Sequence, residues 1–285
     1  MPEGDTIFRT ARALGRALAA KPVTAFRSTF PLLTRFHEDT PLTGQTVEQV
    51  ESRGKWVLIH FSGRGTLATH MLMSGSWHIY RPGERWQQPC ANMRIVVENS
   101  DYLAIGFRVP VAKMLKPEEL ARAARIPVPA IDVLSEAFDA HEASRRLRAR
   151  GDEEIADVLL HQGVLAGVGN VFKSEICFVT GVNPFCKVAA LQPEQVQSMI
   201  LTSQRLVAAN VMEDSGDAIV TYGGRKRRTT HESDPSASMW VYGRKGEPCR
   251  RCGERIRMRI QGPDARVTFW CRVCQPMPDG SEIDG

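Results

Sequence analysis

The sequence predicts an α+β fold with three parts: a β-sandwich preceded by one helix, a helical region, and a C-terminal β-hairpin held by cysteines. An amphipathic helical pattern opens the chain, and strand-like segments follow it. Helical patterns return near residue 155, and four of the seven cysteines cluster near the C-terminus. These observations predict domains at residues 1–124, 131–240 and 241–277, with a flexible tail at 278–285.

The first element is a helix that begins directly after the residues MPEGD. Its apolar stripe consists of Ile7, Ala11, Leu14 and Leu18. Asp5 or Thr6 is expected to cap it, which would hold Pro2 and Glu3 at the positive end of the helix. A proline near a chain start is ordinarily only structural, so these five residues alone do not indicate a function.

Residues 21–114 carry short apolar runs separated by turn residues. The clearest strand patterns are KWVLIHF at 55–61, THMLMSGSWHIY at 69–80, and MRIVVE with YLAIGF within 93–107. Antiparallel hairpins of this kind predict the β-sandwich. The proline-punctuated stretch 116–139 is expected to connect the sandwich to the next domain.

The second domain is predicted to be helical. One helix includes Ile155, Val158, Leu159 and Gln162, a second spans 171–180, and a longer one spans 193–210. Between the first two lies the turn LAGVGN, in which Asn170 is the expected N-cap. Free amides at such a helix start suit a phosphate, although glycines also make ordinary turns. Residues 276–285 are expected to be disordered.

Charge is concentrated in one part of the chain. The formal net charge is +5, and residues 240–275 hold nine Lys or Arg against three acids. The run RKRR at 225–228 is either a solvated loop or part of a surface for a polyanion, and the basic module beside it favours the polyanion. Because no apolar run approaches the roughly 18 residues needed to span a bilayer, we expect a cytosolic protein without membrane contact.

Four cysteines have the spacing of a metal site. They form two C-x2-C pairs separated by eighteen residues: Cys249, Cys252, Cys271 and Cys274. Two such pairs predict one tetrahedral, structural zinc ion that staples a β-hairpin; two redox pairs or four unrelated thiols are the alternatives. The remaining cysteines, Cys90, Cys177 and Cys186, lack ligand spacing and are expected in cores.

Together, these features resemble the family of bifunctional DNA glycosylases that contains formamidopyrimidine-DNA glycosylase and endonuclease VIII. The resemblance covers about residues 2–275. It is carried by PEGDT at 2–6, RGKW at 53–56, HMLMSGSW at 70–77, LLHQGVLAGVGNVFKSE at 159–175, and VYGRKGEPCRRCG with RVTFWCRVCQ within 241–275. It implies a catalytic β-sandwich, a helix-two-turns-helix domain and a zinc finger.

The resemblance implies four catalytic residues. Once Met1 is removed, Pro2 would attack the sugar through its secondary amine, and an α-amino group titrates near pH 8, within reach of neutral conditions. Glu3 would shuttle protons. Lys55 would contact phosphate and assist elimination, although a surface lysine is the simpler interpretation. Arg266 would grip the phosphates beside the lesion and assist the second elimination.

The resemblance also implies four DNA-binding residues. His70 and Asn170 match positions that contact the backbone. Leu72 and Met73 match side chains that fill the gap left by a flipped nucleotide. Since an apolar residue in a strand is ordinarily core, the alternative places Leu72 and Met73 in the core.

Two departures favour the endonuclease VIII branch, which prefers oxidised pyrimidines. The stretch AIGFRVPVAKM at 104–114 lacks the Arg-Arg-Phe-Gly segment of the purine-repairing branch, and DEEIADVLLHQ at 152–162 lacks that branch's lysine. In contrast, Met73 within MSG resembles the purine branch. Excision of oxidised purines is therefore an alternative.

The predicted function is a DNA glycosylase with apurinic or apyrimidinic lyase activity in base excision repair, acting through a Schiff base on Pro2 and nicking by β and δ eliminations. Two other functions are a non-catalytic binder of damaged DNA and an enzyme that acts mainly on abasic sites. The resemblance implies damaged DNA as the partner, one structural zinc ion, no nucleotide cofactor, a monomer, and a cytoplasmic, nucleoid-associated location.

Overall fold

A computed structural model of the chain describes residues 2–63, 65–212, 229–230 and 238–283. The described residues form two compact units, which divide between Ile126 and Pro127. The first unit contains the predicted sandwich, and the second contains the predicted helical region and the cysteine-rich hairpin. None of the helices within these described ranges is long and apolar enough to cross a membrane.

Helix α1 spans Gly4–Leu18 and buries the predicted stripe, including Ile7 and Leu14. The predicted cap at Asp5 or Thr6 is wrong, because Glu3 is the N-cap and its carbonyl accepts hydrogen bonds from the amides of Thr6 and Ile7. Burial explains the difference: Glu3 and Asp5 are both completely buried, so packing starts the helix earlier than capping preferences suggest.

Two antiparallel four-stranded sheets confirm the predicted sandwich. One sheet has the order β1-β6-β7-β5 and the other β2-β3-β4-β8. The strands are β1 Ala25–Ser28, β2 Val47–Arg53, β3 Trp56–Phe61, β4 Thr66–His70, β5 Ser76–Tyr80, β6 Met93–Glu98, β7 Leu103–Phe107 and β8 Val111–Leu115.

Strand β3 shows why these sequences form a sandwich. Its alternate residues Val57, Ile59 and Phe61 join the main core with α1, whereas Trp56 and Leu58 point to the opposite face and pack in a second cluster. Side chains alternate between faces along a strand, so a nearly continuous apolar run is buried on both sides.

Two details of the first unit differ from the prediction. Helix α2, Pro31–Asp39, interrupts the region predicted as strands and begins with a proline in its first turn, where the missing N–H is tolerated. Cys90 is exposed in a short 3-10 turn, so its prediction as a core residue is wrong, whereas Cys177 and Cys186 are buried as predicted.

The second unit is built around helix α6, Asn170–Thr180. The other helices of this unit are α4 Ala140–Arg148, α5 Ile155–Leu160 and α7 Pro193–Met212; the short α3 Pro117–Ala121 belongs to the first unit. The prediction that Asn170 caps α6 is wrong, since Gly169 is the N-cap and Asn170 is the first helical residue. The Asn170 side chain is used elsewhere, as described below.

The C-terminal hairpin consists of β9, Arg257–Gln261, and β10, Arg266–Trp270. Helix α6 packs against β10. Beyond the hairpin, Asn183 donates to the carbonyl of Gln275 at 2.8 Å. The tail described through residue 283 contains no helix or strand, and its predicted disorder stays a prediction. The RKRR run at 225–228 lies outside the described residues.

Candidate functional site

The N-terminal pair lies at the positive end of α1. Pro2 is half-buried and Glu3 is completely buried, immediately before the first helical residue. An extended backbone at Glu3, with φ −118° and ψ −176°, turns the chain into the helix. Both residues are therefore fixed on a packed element, where the helix dipole favours a carboxylate.

Lys55 lies in the two-residue turn between β2 and β3. Gly54 precedes it with φ +59°, a left-handed conformation that glycine adopts without steric cost. The next residue along the chain, Trp56, pairs with His70 of β4. The turn thus places Lys55 beside the end of β4.

His70 is held by two contacts. Its Nδ1 accepts a hydrogen bond from the amide of Leu72 at 3.1 Å, and its ring meets Trp56 edge-on with centroids 5.1 Å apart. Burial, followed by the charge of Lys55, lowers the pKa of His70. The lowered pKa favours the neutral ring, and because Nδ1 accepts a hydrogen bond, the proton of this neutral ring lies on Nε2.

Residues 71–75 form a loop between β4 and β5 that exposes two apolar side chains. Leu72 has φ +43° and is 46% exposed, and Met73 is 70% exposed. The alternative that places these two side chains in the core is therefore wrong. A Cβ on Gly75 would lie 2.9 Å from the carbonyl oxygen of Met71, so this tight loop requires glycine there.

The glycine-rich turn of the second unit folds around one amide side chain. Gln162 accepts from the amide of Gly167 at 3.1 Å and donates to the carbonyls of Leu160 and Val168, each at 2.9 Å. Gly167 has φ +94°. The sequence indicated the turn but not that Gln162 organises it.

Asn170 points at the hairpin. Its Nδ2 donates to the carbonyl of Val267 at 3.0 Å, while its Oδ1 is buried without a hydrogen-bond partner among the described residues. Arg266, the residue before Val267, is partly exposed at the start of β10, next to the turn 262–265. The structure therefore brings together Asn170 and the strand that carries Arg266.

The four cysteines converge as predicted. Their Sγ atoms all lie within 4.8 Å of one another; the pair Cys249 and Cys274 is separated by 3.8 Å, and the pair Cys252 and Cys271 by 3.4 Å. The amide of Arg251 donates to the sulfur of Cys249 at 3.4 Å. This cluster can hold one metal ion.

Sequence reasoning missed two buried charges on α6, Lys173 and Glu175. Glu175 accepts hydrogen bonds from the hydroxyl of Thr229 and from three consecutive backbone amides, those of Trp240, Val241 and Tyr242. It thereby anchors residues 240–242, which lead into the cysteine-rich module, residues 249–274. The only available signal was the position of both charges in an otherwise apolar helix.

Comparison with known proteins agrees with this geometry. A family model for the formamidopyrimidine-DNA glycosylase N-terminal domain matches residues 1–108, and one for the H2TH domain matches residues 130–220. A protein of Streptomyces coelicolor named probable endonuclease 8 2 is 37% identical over 98% of this chain and 95% of its own length. The chain belongs to the formamidopyrimidine-DNA glycosylase and endonuclease VIII family.

Other proteins of this family match the chain over a similarly large share of both lengths. The DNA-(apurinic or apyrimidinic site) lyase Nei2 of Mycolicibacterium smegmatis is 36% identical over 96% of this chain and 99% of its own. Lactococcus lactis Fpg, solved with DNA containing an abasic site, superposes with a TM-score of 0.77 at 22% identity and covers 96% of this chain and 100% of its own. The predicted family and fold are confirmed, and the chain is a DNA glycosylase with lyase activity in base excision repair.

Proposed function

We propose that this glycosylase excises oxidised pyrimidines through a covalent bond between the nitrogen of Pro2 and the damaged nucleotide. The observation that carries this proposal is the half-buried Pro2 followed directly by the fully buried Glu3 at the start of α1. Removal of Met1 frees the amine. The nitrogen bonds to the anomeric carbon as the bond to the base breaks. The bond between the anomeric carbon and the ring oxygen then breaks, and the resulting iminium activates the neighbouring sugar proton for elimination.

Glu3 supplies the proton transfers in this scheme. Its position at the helix N-terminus keeps a carboxylate favourable in spite of its burial. Because Glu3 follows the nucleophile directly, its carboxylate can accept the proton that the Pro2 nitrogen loses and then pass it to the ring oxygen as the sugar opens. Lys55 assists elimination from the adjoining hairpin turn.

The end of β4 and the loop that follows it contact the DNA backbone and the gap left by the flipped nucleotide. His70 presents an Nε2–H donor, which suits a phosphate oxygen without requiring a charged ring. Leu72 and Met73 fill the gap, supported by their exposure on a constrained loop. In the second unit, Asn170 and Arg266 contact the phosphates that flank the lesion.

We also propose that the metal is a single structural zinc ion held by Cys249, Cys252, Cys271 and Cys274. A tetrahedral shell with Zn–S distances of about 2.3 Å separates the sulfurs by about 3.8 Å. The observed sulfur–sulfur distances, 3.4 Å between Cys252 and Cys271 and 3.8 Å between Cys249 and Cys274, fit this shell. Four thiolates leave no position for a catalytic water, so the ion would stabilise the hairpin and take no part in the reaction.

Preference for pyrimidines is supported by the connection between β7 and β8. It consists of three residues, and the middle one, Val109, is 1% exposed. This short connection has no counterpart to the segment with which the purine-repairing branch probes the opposite strand. Relatives named endonuclease 8 support the same preference.

Borohydride trapping on duplex DNA with an abasic site tests the nucleophile. The trimmed protein should form a covalent adduct, and a variant with one glutamine inserted before Pro2, which adds no side-chain amine, should form none, because its proline nitrogen remains acylated. An adduct of equal yield in the inserted variant would exclude Pro2. Failure of the trimmed protein to form any adduct would favour a non-catalytic binder of damaged DNA.

Glu3→Gln tests the proton shuttle, with Glu48→Gln on the exposed face of β2 as the matched control. Base excision should fall by about 10²-fold or more in the first variant and stay unchanged in the second. Equal rates in both variants would remove Glu3 from the mechanism.

A second candidate function is action mainly on abasic sites, which the name of the Mycolicibacterium smegmatis lyase favours. Cleavage of matched duplexes that contain thymine glycol, oxidised guanine or an abasic site separates the possibilities. Thymine glycol should be cut faster than oxidised guanine. Cleavage of the abasic duplex alone would support the second function, and faster cleavage of oxidised guanine would support the purine alternative.

We propose a catalytic domain at residues 1–124, a helix-two-turns-helix domain at 131–240 and a zinc finger at 241–277, followed by a flexible tail at 278–285. We also propose a monomer that acts in the cytoplasm on the nucleoid without a nucleotide cofactor.

A further inference from the structure

A buried hydrogen-bonded chain lies directly behind the start of β10, and it centres on Lys173. We propose that Lys173 is a positioning residue that holds the backbone of Arg266 for phosphate contact. The proposal rests on the phosphate role of Arg266 given above. It assigns a task to a buried charge that the catalytic scheme otherwise leaves unused.

The contacts of Lys173 are specific. The side chain is completely buried, and its Nζ donates to the carbonyl of Val267 at 3.2 Å and to the hydroxyl of Thr268 at 2.6 Å. The same Val267 carbonyl accepts from Nδ2 of Asn170, one helical turn earlier on α6. Two side chains of one helix therefore hold the peptide unit between Val267 and Thr268, one residue beyond Arg266.

The chain continues to the opposite strand. Because the ammonium donates to Thr268, the threonine proton is directed to Oε1 of Gln261, at 2.7 Å. Gln261 is the cross-strand partner of Arg266. Its Nε2 donates in turn to a carboxylate oxygen of Glu154 at 2.6 Å and to the Pro184 carbonyl at 3.1 Å.

This chain runs from an ammonium to a carboxylate, so every bond in it has a fixed direction. Hydrogen bonds in such a buried series polarise and strengthen one another. The hairpin turn also packs closely against α5, since a Cβ on Gly262 would overlap a carboxylate oxygen of Asp157. Both strands are thus fixed where the turn begins.

The cysteine cluster cannot supply this constraint by itself. Cys271 follows the last residue of β10, whereas Arg266 is the first residue of the strand. At about 3.3 Å per residue, the two ends lie about 16 Å apart. Metal binding pins one end of the hairpin, and the Lys173 chain pins the other end, where Arg266 is.

The test compares Lys173→Met, which keeps the length of the side chain but removes its charge, with Lys187→Met, an exposed lysine of the same unit. Thr268→Val is a second and milder variant, which removes one hydroxyl. Each is measured with and without Arg266→Ala. The readouts are binding to a duplex with a tetrahydrofuran abasic-site analogue and the ratio of δ to β product on an abasic duplex.

Lys173→Met should weaken binding about ten-fold and lower the δ-product fraction, and Thr268→Val should do so to a smaller extent. In the Arg266→Ala background both should have little further effect, because the residue they position is gone. Lys187→Met should match the parent. Bound metal and melting temperature are recorded for every variant.

Equal effects of Lys173→Met with and without Arg266 would overturn the proposal, as would unchanged binding and product ratio. Loss of metal or of helix content in both Lys173→Met and Thr268→Val would also overturn it, by showing a folding role. If Arg266→Ala alone behaves like the parent, the proposed phosphate role of Arg266 fails first. An impaired Arg266→Ala beside a normal Lys173→Met would sink only this inference.

Discussion

His70 and His78 belong to the same unit but differ in their surroundings. His70 ends β4 beside an exposed loop, whereas His78 is 1% exposed within β5. His78 lies between the hydroxyls of Ser76, at 2.8 Å from Nε2, and Tyr80, at 3.0 Å from Nδ1. Burial lowers the pKa of His78 from 6.5 to about 4, because the charged ring would lose its hydration.

The stability of the first unit should therefore depend on His78 in mild acid. The folded state disfavours protonated His78, so the unfolded chain binds more protons between pH 6.5 and about 4. The free energy of unfolding then decreases as pH falls through this window, by at most about 1.4 kcal/mol per pH unit from this group. Urea unfolding at pH 7 and pH 4.5 measures the loss.

His78→Gln should show a smaller loss of stability between these two pH values than the parent protein. His141→Gln, at an exposed position on α4, is the matched control and should behave like the parent. An identical pH dependence in His78→Gln would assign the acid sensitivity to other groups.

Met73 is the more exposed of the two apolar side chains on the loop between β4 and β5. Met73→Ala should slow excision from duplex DNA more than from single strands, because only a duplex leaves a stacked gap to fill. Its melting temperature should stay unchanged, since the side chain is 70% exposed. Leu32→Ala, at an 82% exposed residue of α2, is the matched control. Parallel losses on both kinds of DNA would argue against gap filling.

Helix α6 connects the C-terminal hairpin and the segment before the cysteines to the rest of the second unit. The side chains of Asn170 and Lys173 donate hydrogen bonds to β10. The carboxylate of Glu175 accepts hydrogen bonds from three backbone amides of the segment before the cysteines. Beyond the C-terminal end of α6, the side-chain amide of Asn183 donates to the Gln275 carbonyl. The module and the segment before it therefore pack against α6 and against the residues just beyond its C-terminal end.

Metal removal should release this module without destroying the first unit. Four converging thiols without a cation lose the bonds that hold the hairpin ends together, and structural zinc sites of this type contribute directly to folding. A chelated preparation should bind the abasic-analogue duplex at least about ten-fold more weakly, and zinc addition should restore binding. The borohydride adduct should persist at saturating DNA. Unchanged affinity after verified metal loss would contradict this prediction.

At the scale of the whole molecule, charge distribution matters more than net charge. The chain carries 37 Lys and Arg against 32 Asp and Glu, yet the cysteine-rich module holds a clear excess of arginines. Each phosphate that an arginine neutralises releases counterions, which makes affinity depend on salt. Binding should therefore weaken steeply with rising salt even though the net charge is only +5.

Arg266→Ala should make the negative slope of log affinity against log salt shallower by about 1, and it should weaken binding most at low salt. Arg145→Ala is the matched control, because Arg145 is 69% exposed on α4 and already paired with Glu142 at 2.7 Å. Titrations at several salt concentrations give the slope. The same slope in Arg266→Ala and the parent would mean that Arg266 does not contact phosphate.

Features that depend only on neighbouring residues could be predicted from the amino-acid sequence. The short apolar run in KWVLIHF predicted β3, the stripe with Ile7 and Leu14 predicted α1, and two C-x2-C pairs predicted the cysteine cluster. The combination of motifs, from PEGDT at 2–6 to RVTFWCRVCQ at 266–275, sufficed to predict the family. Periodicity and short spacings are local, so they survive without knowledge of the fold.

Only the tertiary structure decided which partners the side chains find. Asn170 looked like a helix cap, Leu72 and Met73 could have been core residues, and Lys173 gave no sign of its task. The partners decide these outcomes: Thr268 lies 95 residues from Lys173 along the chain, and Val267 lies 97 from Asn170. Whether a polar group is exposed, paired or buried depends on packing between such distant segments, and no local pattern encodes it.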